Sequence, residues 1–176
     1  MQIEDNDILN LFEINEQKAF SSLVMKYQER IYWHVRKMVL NHEDANDITQ
    51  NIFIKVWKGL SKFKKESNLF TWIYRIATNE TLNFIKSNKN KIAQSIENIQ
   101  IENRKDDSFF SGDEIEAKLH LAITTLPEKQ KLVFNMKYFD DLKYTEIVAI
   151  IGGTVGSLKA SYHHAQKKIE KYLTTN

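Results

Sequence analysis

Helix-breaking residues are almost absent from this chain: one proline and five glycines occur in 176 residues. Tight turns between strands draw heavily on those two residue types. A sheet-rich fold therefore has too little punctuation here, and long uninterrupted helices are the natural reading. Hydrophobic residues make up 42% and charged residues 27%, values of a folded globular chain rather than a disordered one. The length allows one domain, or two small ones joined by a linker. The absence of cysteine excludes a disulfide scaffold, a Cys-ligated zinc site and a thiol nucleophile. It also suits a reducing compartment. No apolar run approaches the ~20 residues of a membrane span, and the acidic opening MQIEDNDILN is the wrong chemistry for a secretory signal. The expected location is the cytoplasm.

Apolar periodicity predicts where the helices lie. Ala19, Phe20, Leu23, Val24, Tyr27, Ile31, Val35, Met38 and Val39 recur at three- and four-residue steps, which predicts one helix over 16–40. Ile48, Ile52, Phe53, Val56, Trp57 and Leu60 predict a second over 44–60. Trp72, Ile73, Ile76 and Ala77 predict a third from about Leu69 to Lys86. With a short helix near 5–14, these make a helical domain over 1–88. Residues 89–113 are rich in Asn, Ser and acids and lose the period, so they read as a flexible acidic linker. A second domain is expected over 114–176. Its first helix carries Ile115, Leu119, Ala122 and Ile123. Thr125-Leu126-Pro127-Glu128 fits a capping box that opens the next helix. A helix at about 144–151, the break Gly152-Gly153-Thr154, and a last helix from Val155 to about Leu173 then make a helix-turn-helix pattern, with Thr154 as the expected N-cap. The expected fold is all-α, two small helical domains joined by that linker.

Charge is segregated along the chain. Residues 55–91 hold nine bases against two acids, and residues 155–176 hold four lysines against one acid. Between them, residues 97–116 hold seven acids against two bases. Two basic blocks suggest two polyanion-binding surfaces, although solvated helix faces would also account for them.

Enzymatic chemistry has little to stand on. None of the five histidines sits in a metal-binding spacing. Adjacent His163 and His164 project about 100° apart on a helix, which makes a poor chelator. There is no phosphate loop and no Gly-x-Ser-x-Gly elbow. No catalytic residue, metal or cofactor is expected.

The helix-turn-helix points elsewhere. Its second helix enters the major groove in such motifs, and here it offers Ser157, Lys159, Ser161, His163, His164, Gln166 and Lys167 on its polar faces. Lys, Ser and His can meet phosphates, and Gln can read a base edge. An ordinary amphipathic C-terminal helix would look similar, so the motif needs context. The first domain supplies it. Trp57, Phe63, Phe70, Trp72, Tyr74 and Phe84 are interleaved with Lys55, Lys58, Lys62, Lys64, Lys65, Arg75 and Lys86, the mixture of stacking surfaces and cations that a single strand needs. Trp57 and Trp72 are expected to serve mostly as core anchors.

Three segments in order resemble one family. Asp47-Ile48-Thr49-Gln50-Asn51-Ile52-Phe53-Ile54-Lys55-Val56-Trp57 resembles the polymerase-binding helix of extracytoplasmic-function (ECF) sigma factors. Trp72-Ile73-Tyr74-Arg75-Ile76-Ala77-Thr78-Asn79 resembles the helix that handles their minus-ten element. Leu126-Pro127-Glu128-Lys129-Gln130-Lys131-Leu132-Val133-Phe134, Tyr138-Phe139 and the helix-turn-helix resemble the domain that reads the minus-thirty-five element. The resemblance spans about 16–88 and 114–173. It implies a non-enzymatic factor that binds core RNA polymerase and promoter DNA, with an anti-sigma protein as a further partner. By the same resemblance, Asp47, Gln50, Asn51 and Lys55 would contact polymerase. Lys62, Lys64, Lys65, Arg75, Asn79, Asn83 and Lys86 would hold the minus-ten strand, and the polar residues of the last helix would meet the minus-thirty-five element. The chain departs from the usual family pattern at Thr78 and Phe70, at Asn51, at Val148, and at Ser161, His164 and Gln166, where arginines are usual. A free-standing helix-turn-helix regulator is the alternative; it would dimerise on a palindrome without polymerase.

Overall fold

The computed structural model describes residues 3–39, 41–88 and 114–175, with side chains in the last stretch from Lys118 onward. All regular secondary structure among them is helical, and the chain divides into two compact units, Met1–Lys89 and Asn90–Asn176. The expected linker at 89–113 lies outside the described residues.

The first unit holds α1 (Asp5–Ile14), α2 (Glu16–Arg36), α3 (His42–Leu60) and α4 (Leu69–Ser87). Asparagine opens three of these helices. Asn15 Oδ1 accepts from the Lys18 amide at 2.9 Å, Asn41 Oδ1 from Asp44 at 2.6 Å and Asn68 Oδ1 from Thr71 at 2.7 Å. Each satisfies an amide that the helix itself leaves unpaired, an interaction typically worth about 1 kcal/mol. Capped by Asn41, α3 begins at His42, two residues before the expected 44. Helix α2 stops at Arg36, short of the expected 40. There the Arg36 guanidinium is buried and donates to the Val39 carbonyl at 3.1 Å, closing the turn. Met38 and Val39 remain buried in that turn, so the apolar stripe outruns the helix that it predicted.

Helices α2, α3 and α4 pack on one another around Leu23, Ile31, Ile52, Val56, Ile73 and Ala77. Buried His34 pairs through Nε2 with Thr78 Oγ1 at 3.2 Å and lies against the Tyr74 ring at 4.8 Å. Helix α1 is latched to α2 by Asp5. Its carboxylate accepts from Lys26 Nζ and from Tyr27 Oη, both at 2.6 Å. Burial first, and then the Asp5 carboxylate, raise the Tyr27 phenol above its ordinary range.

The second unit holds α5 (Glu114–Thr124), α6 (Glu128–Tyr138), α7 (Tyr144–Ile151) and α8 (Val155–Thr175). Helix α6 buries Leu132, Val133, Phe134, Asn135 and Met136 in succession, so it runs through the core rather than along its edge. Ala122, Ile123, Leu126, Phe134, Ala165 and Ile169 form the centre, with Leu119, Phe139, Tyr162 and Tyr172 packed around them. Gly152 (φ 77°) and Gly153 (φ 90°) make the turn between α7 and α8. Those left-handed angles favour glycine, because a Cβ there crowds the backbone. The expected cap forms: the Ser157 amide donates to Thr154 Oγ1 and the Thr154 amide to Ser157 Oγ, both at 3.2 Å.

Two further expectations are corrected. The Thr125–Glu128 capping box does not form. Thr125 Oγ1 instead donates back to the Ala122 carbonyl at 2.7 Å, and Pro127 precedes α6 without a side-chain cap. The hydroxyl satisfies the end of α5 rather than the start of α6, because burying Leu126 turns the chain away first. Trp57 is not a core anchor either. It is 37% exposed and meets Phe20 edge-on at 4.9 Å. Trp72 is half-buried, against Phe63 at 5.1 Å and over Gly59, where an added Cβ would lie 3.0 Å from the indole.

Candidate partner and nucleic-acid interfaces

Helix α3 turns two different faces outward and inward. Ala45, Ile48, Ile52, Phe53, Val56 and Leu60 are buried. Asp47, Gln50 and Asn51 are exposed and fall within about 100° of helical arc. Beside them runs an open groove of about 700 Å³ between α2 and α3. Phe20, Val24, Phe53, Ile54 and Trp57 give it apolar walls, and Gln50 and Thr49 stand on its α3 side. Ile54 is 50% exposed. Ile54 and Phe20 belong to this surface although sequence reasoning assigned them to none; the available signal was that Ile54 falls off the Ile48-Ile52-Val56 stripe. Lys55 differs from its three companions. Its Nζ is 2.6 Å from Glu80 Oε1, an ion pair that ties α3 to α4.

Helix α4 and the loop before it carry the second set. Arg75, Asn79, Asn83 and Lys86 are exposed and share one side of α4, since steps of three and four residues return to the same face. Lys62, Lys64 and Lys65 are exposed in the loop, and Lys65 adopts a left-handed φ of 58°. Phe63 between them turns inward onto Trp72, so the loop is pinned by its aromatic residue while its lysines stay in solvent. Thr78, which stands where the resembling family often has a base, is buried against His34. Phe70, the other such position, is covered by the Arg30 guanidinium at 4.4 Å from the ring centroid.

On α8, Leu158, Ala165 and Ile169 are buried. Ser157, Lys159, His163, His164, Gln166 and Lys167 are exposed, and Ser161 is half-buried. They do not share a single face. Lys159, His163, Gln166 and Lys167 lie on one side, whereas His164 and Ser157 lie roughly 140–160° around the helix from Lys159. Ser157 is held in the cap, and Ser161 Oγ donates to the Ser157 carbonyl at 2.9 Å. No cluster of three or more potential metal ligands occurs among the described residues, and no described helix is long and apolar enough to cross a membrane.

Exposed basic helical faces on two separate units, with an apolar groove between α2 and α3 in the first, match the order of two known regions. The sigma-70 region 2 family matches residues 23–91, and the sigma-70 region 4 family matches residues 116–169. The chain belongs to the sigma-70 family, in its ECF type. It is 29% identical to the RNA polymerase sigma-H factor of Pseudomonas aeruginosa, over 98% of this chain and 95% of the relative. It is 27% identical to the ECF RNA polymerase sigma-E factor of Escherichia coli K12, over 96% and 94%. Its fold is similar to CnrH in complex with the cytosolic domain of CnrY, with a TM-score of 0.72 at 16% identity over 98% of both chains. It is also similar to the sigma factor RpoE of Bartonella quintana, solved with the anti-sigma factor NepR, with a TM-score of 0.67 at 19% identity over 90% of this chain and 99% of that one. As a sigma factor the chain is a non-enzymatic initiation factor that binds core RNA polymerase and promoter DNA. The free-standing regulator is not favoured, because such a protein has no use for a region 2.

Proposed function

We propose that the sigma factor divides its work among three surfaces. Asp47, Gln50 and Asn51, with the groove walls Ile54 and Trp57, dock on the polymerase. Lys62, Lys64, Lys65, Arg75, Asn79, Asn83 and Lys86 hold the unpaired minus-ten strand. The Lys159 side of α8 meets the minus-thirty-five element, and Lys55 serves chiefly to join the first two surfaces through Glu80. These assignments take residues 1–88 as the region 2 domain and 114–176 as the region 4 domain. The cytoplasm is the place of action, where polymerase is found. The complexes of CnrH and of RpoE support an anti-sigma protein as a partner of this chain as well.

The observation that carries the reading is the sorting of side chains on α4. Its inward side is filled by Ile73, Tyr74, Ala77, Thr78 and Thr81, while Arg75, Asn79, Asn83 and Lys86 stand exposed together. A cationic face that also carries amides can neutralise phosphates and hydrogen-bond to base edges. Capturing a base outside the stack offsets the few kcal/mol needed to unstack it. Permanganate footprinting of a promoter opened by core polymerase and this chain tests the reading. Asn79→Ala should reduce opening in a sequence-dependent way. The triple change of Lys62, Lys64 and Lys65 to alanine should reduce it most at low salt, where counterion release contributes most. Normal opening by both variants would move the minus-ten role elsewhere.

A further inference from the structure

Lys159 is the first exposed cation of α8, and it does not stand alone in solvent. Its Nζ lies 5.9 Å from the centroid of the Tyr144 ring, at the start of α7. A cation within about 6 Å of an aromatic face is attracted by the ring quadrupole. Tyr144 is itself fixed. It is half-buried, its ring meets Tyr162 edge-on at 6.3 Å, and Tyr162 stacks on Phe134 of the core at 5.6 Å. The chain of contacts therefore runs from the core of the unit through two tyrosines to one ammonium group. Lys137 Nζ also lies 5.9 Å from the Tyr144 ring, but Asp141 Oδ1 at 3.5 Å shares its charge. The Lys159 ammonium has no such acidic neighbour among the described ion pairs, which leaves its charge available.

We propose that Tyr144 is a positioning residue for promoter binding: its ring holds the Lys159 ammonium at the start of the recognition helix, ready for a phosphate or base edge. The proposal rests on the reading of Lys159 as a contact to the minus-thirty-five element. An unrestrained lysine loses rotamer freedom when it binds. A ring that restricts it beforehand lowers that cost, so Tyr144 strengthens DNA binding without touching DNA.

A double-mutant cycle on the full chain, bound to core polymerase, tests this. The probe is a duplex selected from a randomised upstream element by the wild-type holoenzyme. Lys159→Ala should weaken binding about five- to tenfold and lower the salt slope by about one. Tyr144→Leu keeps most of the bulk but removes the ring, and should weaken binding about two- to fivefold. Tyr144→Phe keeps the ring and should stay within about twofold of wild type. In the Lys159→Ala background, Tyr144→Leu should have no further effect, because its target is gone. Full additivity of the two changes, or an equal loss in Tyr144→Phe and Tyr144→Leu, overturns the positioning role while leaving Lys159 a DNA contact. An unchanged affinity in Lys159→Ala overturns both. Comparison of Tyr144→Phe with Tyr144→Leu keeps the result readable even where leucine lowers the melting temperature.

Discussion

The two units keep their stability and their surfaces in different relations. In the first, the groups that hold the fold are inside or at helix starts: Asn15, Asn41 and Asn68 cap, Asp5 latches α1, and His34 with Thr78 fills the core. Asp47, Gln50, Asn79 and Asn83 have no part in those contacts. In the second unit the same residues do both jobs. Ser157 caps α8 and lies on its polar surface, Ser161 bonds back to Ser157, and Lys159 leans on a ring tied to the core. Separation lets interface residues of the first unit vary freely in evolution or in mutagenesis. Overlap means that a change on α8 disturbs its start as well as its surface.

The largest effect that sharpens this contrast is on polymerase binding. Asp47→Ala with Gln50→Ala should weaken the affinity for core polymerase by tenfold or more, about 1.4 kcal/mol or above. Stability should move by no more than about 0.5 kcal/mol, since both side chains are exposed and uncommitted to any cap. Competition binding and thermal melting of one preparation give both numbers. A matching loss of stability would erase the separation claimed for the first unit.

Next in size is the box at the start of α8. Thr154→Ala should cost about 0.5–2 kcal/mol by leaving the Ser157 amide without its acceptor. It should also weaken DNA binding, because the first turn carrying Ser157 and Lys159 frays. Ser157→Ala should behave alike. If either variant loses stability but binds promoter DNA with wild-type affinity, the two roles are not coupled.

The helices were legible because their stripes are long and unbroken, and the cap at Thr154 follows from ordinary side-chain chemistry. The end of α2 was not. Met38 and Val39 are apolar for the core but sit in a turn, and only the fold reveals Arg36 reaching Val39. The exposed polar candidates on α3 and α4 were legible as the complement of the buried stripes. The groove was legible only at Ile54, which falls off the buried stripe; Phe20 and Trp57 look like core residues in sequence, and only the packing of α2 on α3 leaves them lining an open groove. The ion pair of Lys55 was hidden for a related reason. Its partner Glu80 lies 25 residues away, and no local pattern links them.

A smaller effect concerns that pair. Lys55 is 54% and Glu80 20% exposed, so solvent screens the interaction, and a double-mutant cycle on stability should give about 0.2–1 kcal/mol. Glu80→Gln should leave Lys55 free to reach outward. Polymerase binding should then stay unchanged or rise slightly. A loss equal to that of Lys55→Ala would show that the bridge, not the lysine, sets the orientation of α3 on α4.

The smallest expected effect separates the units by alkaline pH. Lys131 on α6 is half-buried, and desolvation lowers its pKa from 10.5 more than nearby Glu128 raises it. The unfolded chain therefore binds a proton that the folded unit holds less tightly. Stability of the second unit should rise with pH through the window between that lowered value and 10.5. Tyr27 has the opposite sign. Its pKa is raised above the ordinary 10.0 by burial and by Asp5, so the folded state keeps a proton that the unfolded chain releases. The first unit should lose stability as pH climbs past about 10. The three tryptophans, Trp33, Trp57 and Trp72, all lie in the first unit, so denaturation followed by tryptophan fluorescence reports that unit alone. Methyl resonances of Ile123, Val133 and Ile169 report the other. Lys131→Met should flatten the rise in the second unit and leave the tryptophan transition untouched, whereas Tyr27→Phe should remove part of the fall in the first. Parallel pH curves for the two probes, or a Lys131→Met change that moves the tryptophan transition, would show that the units do not respond separately.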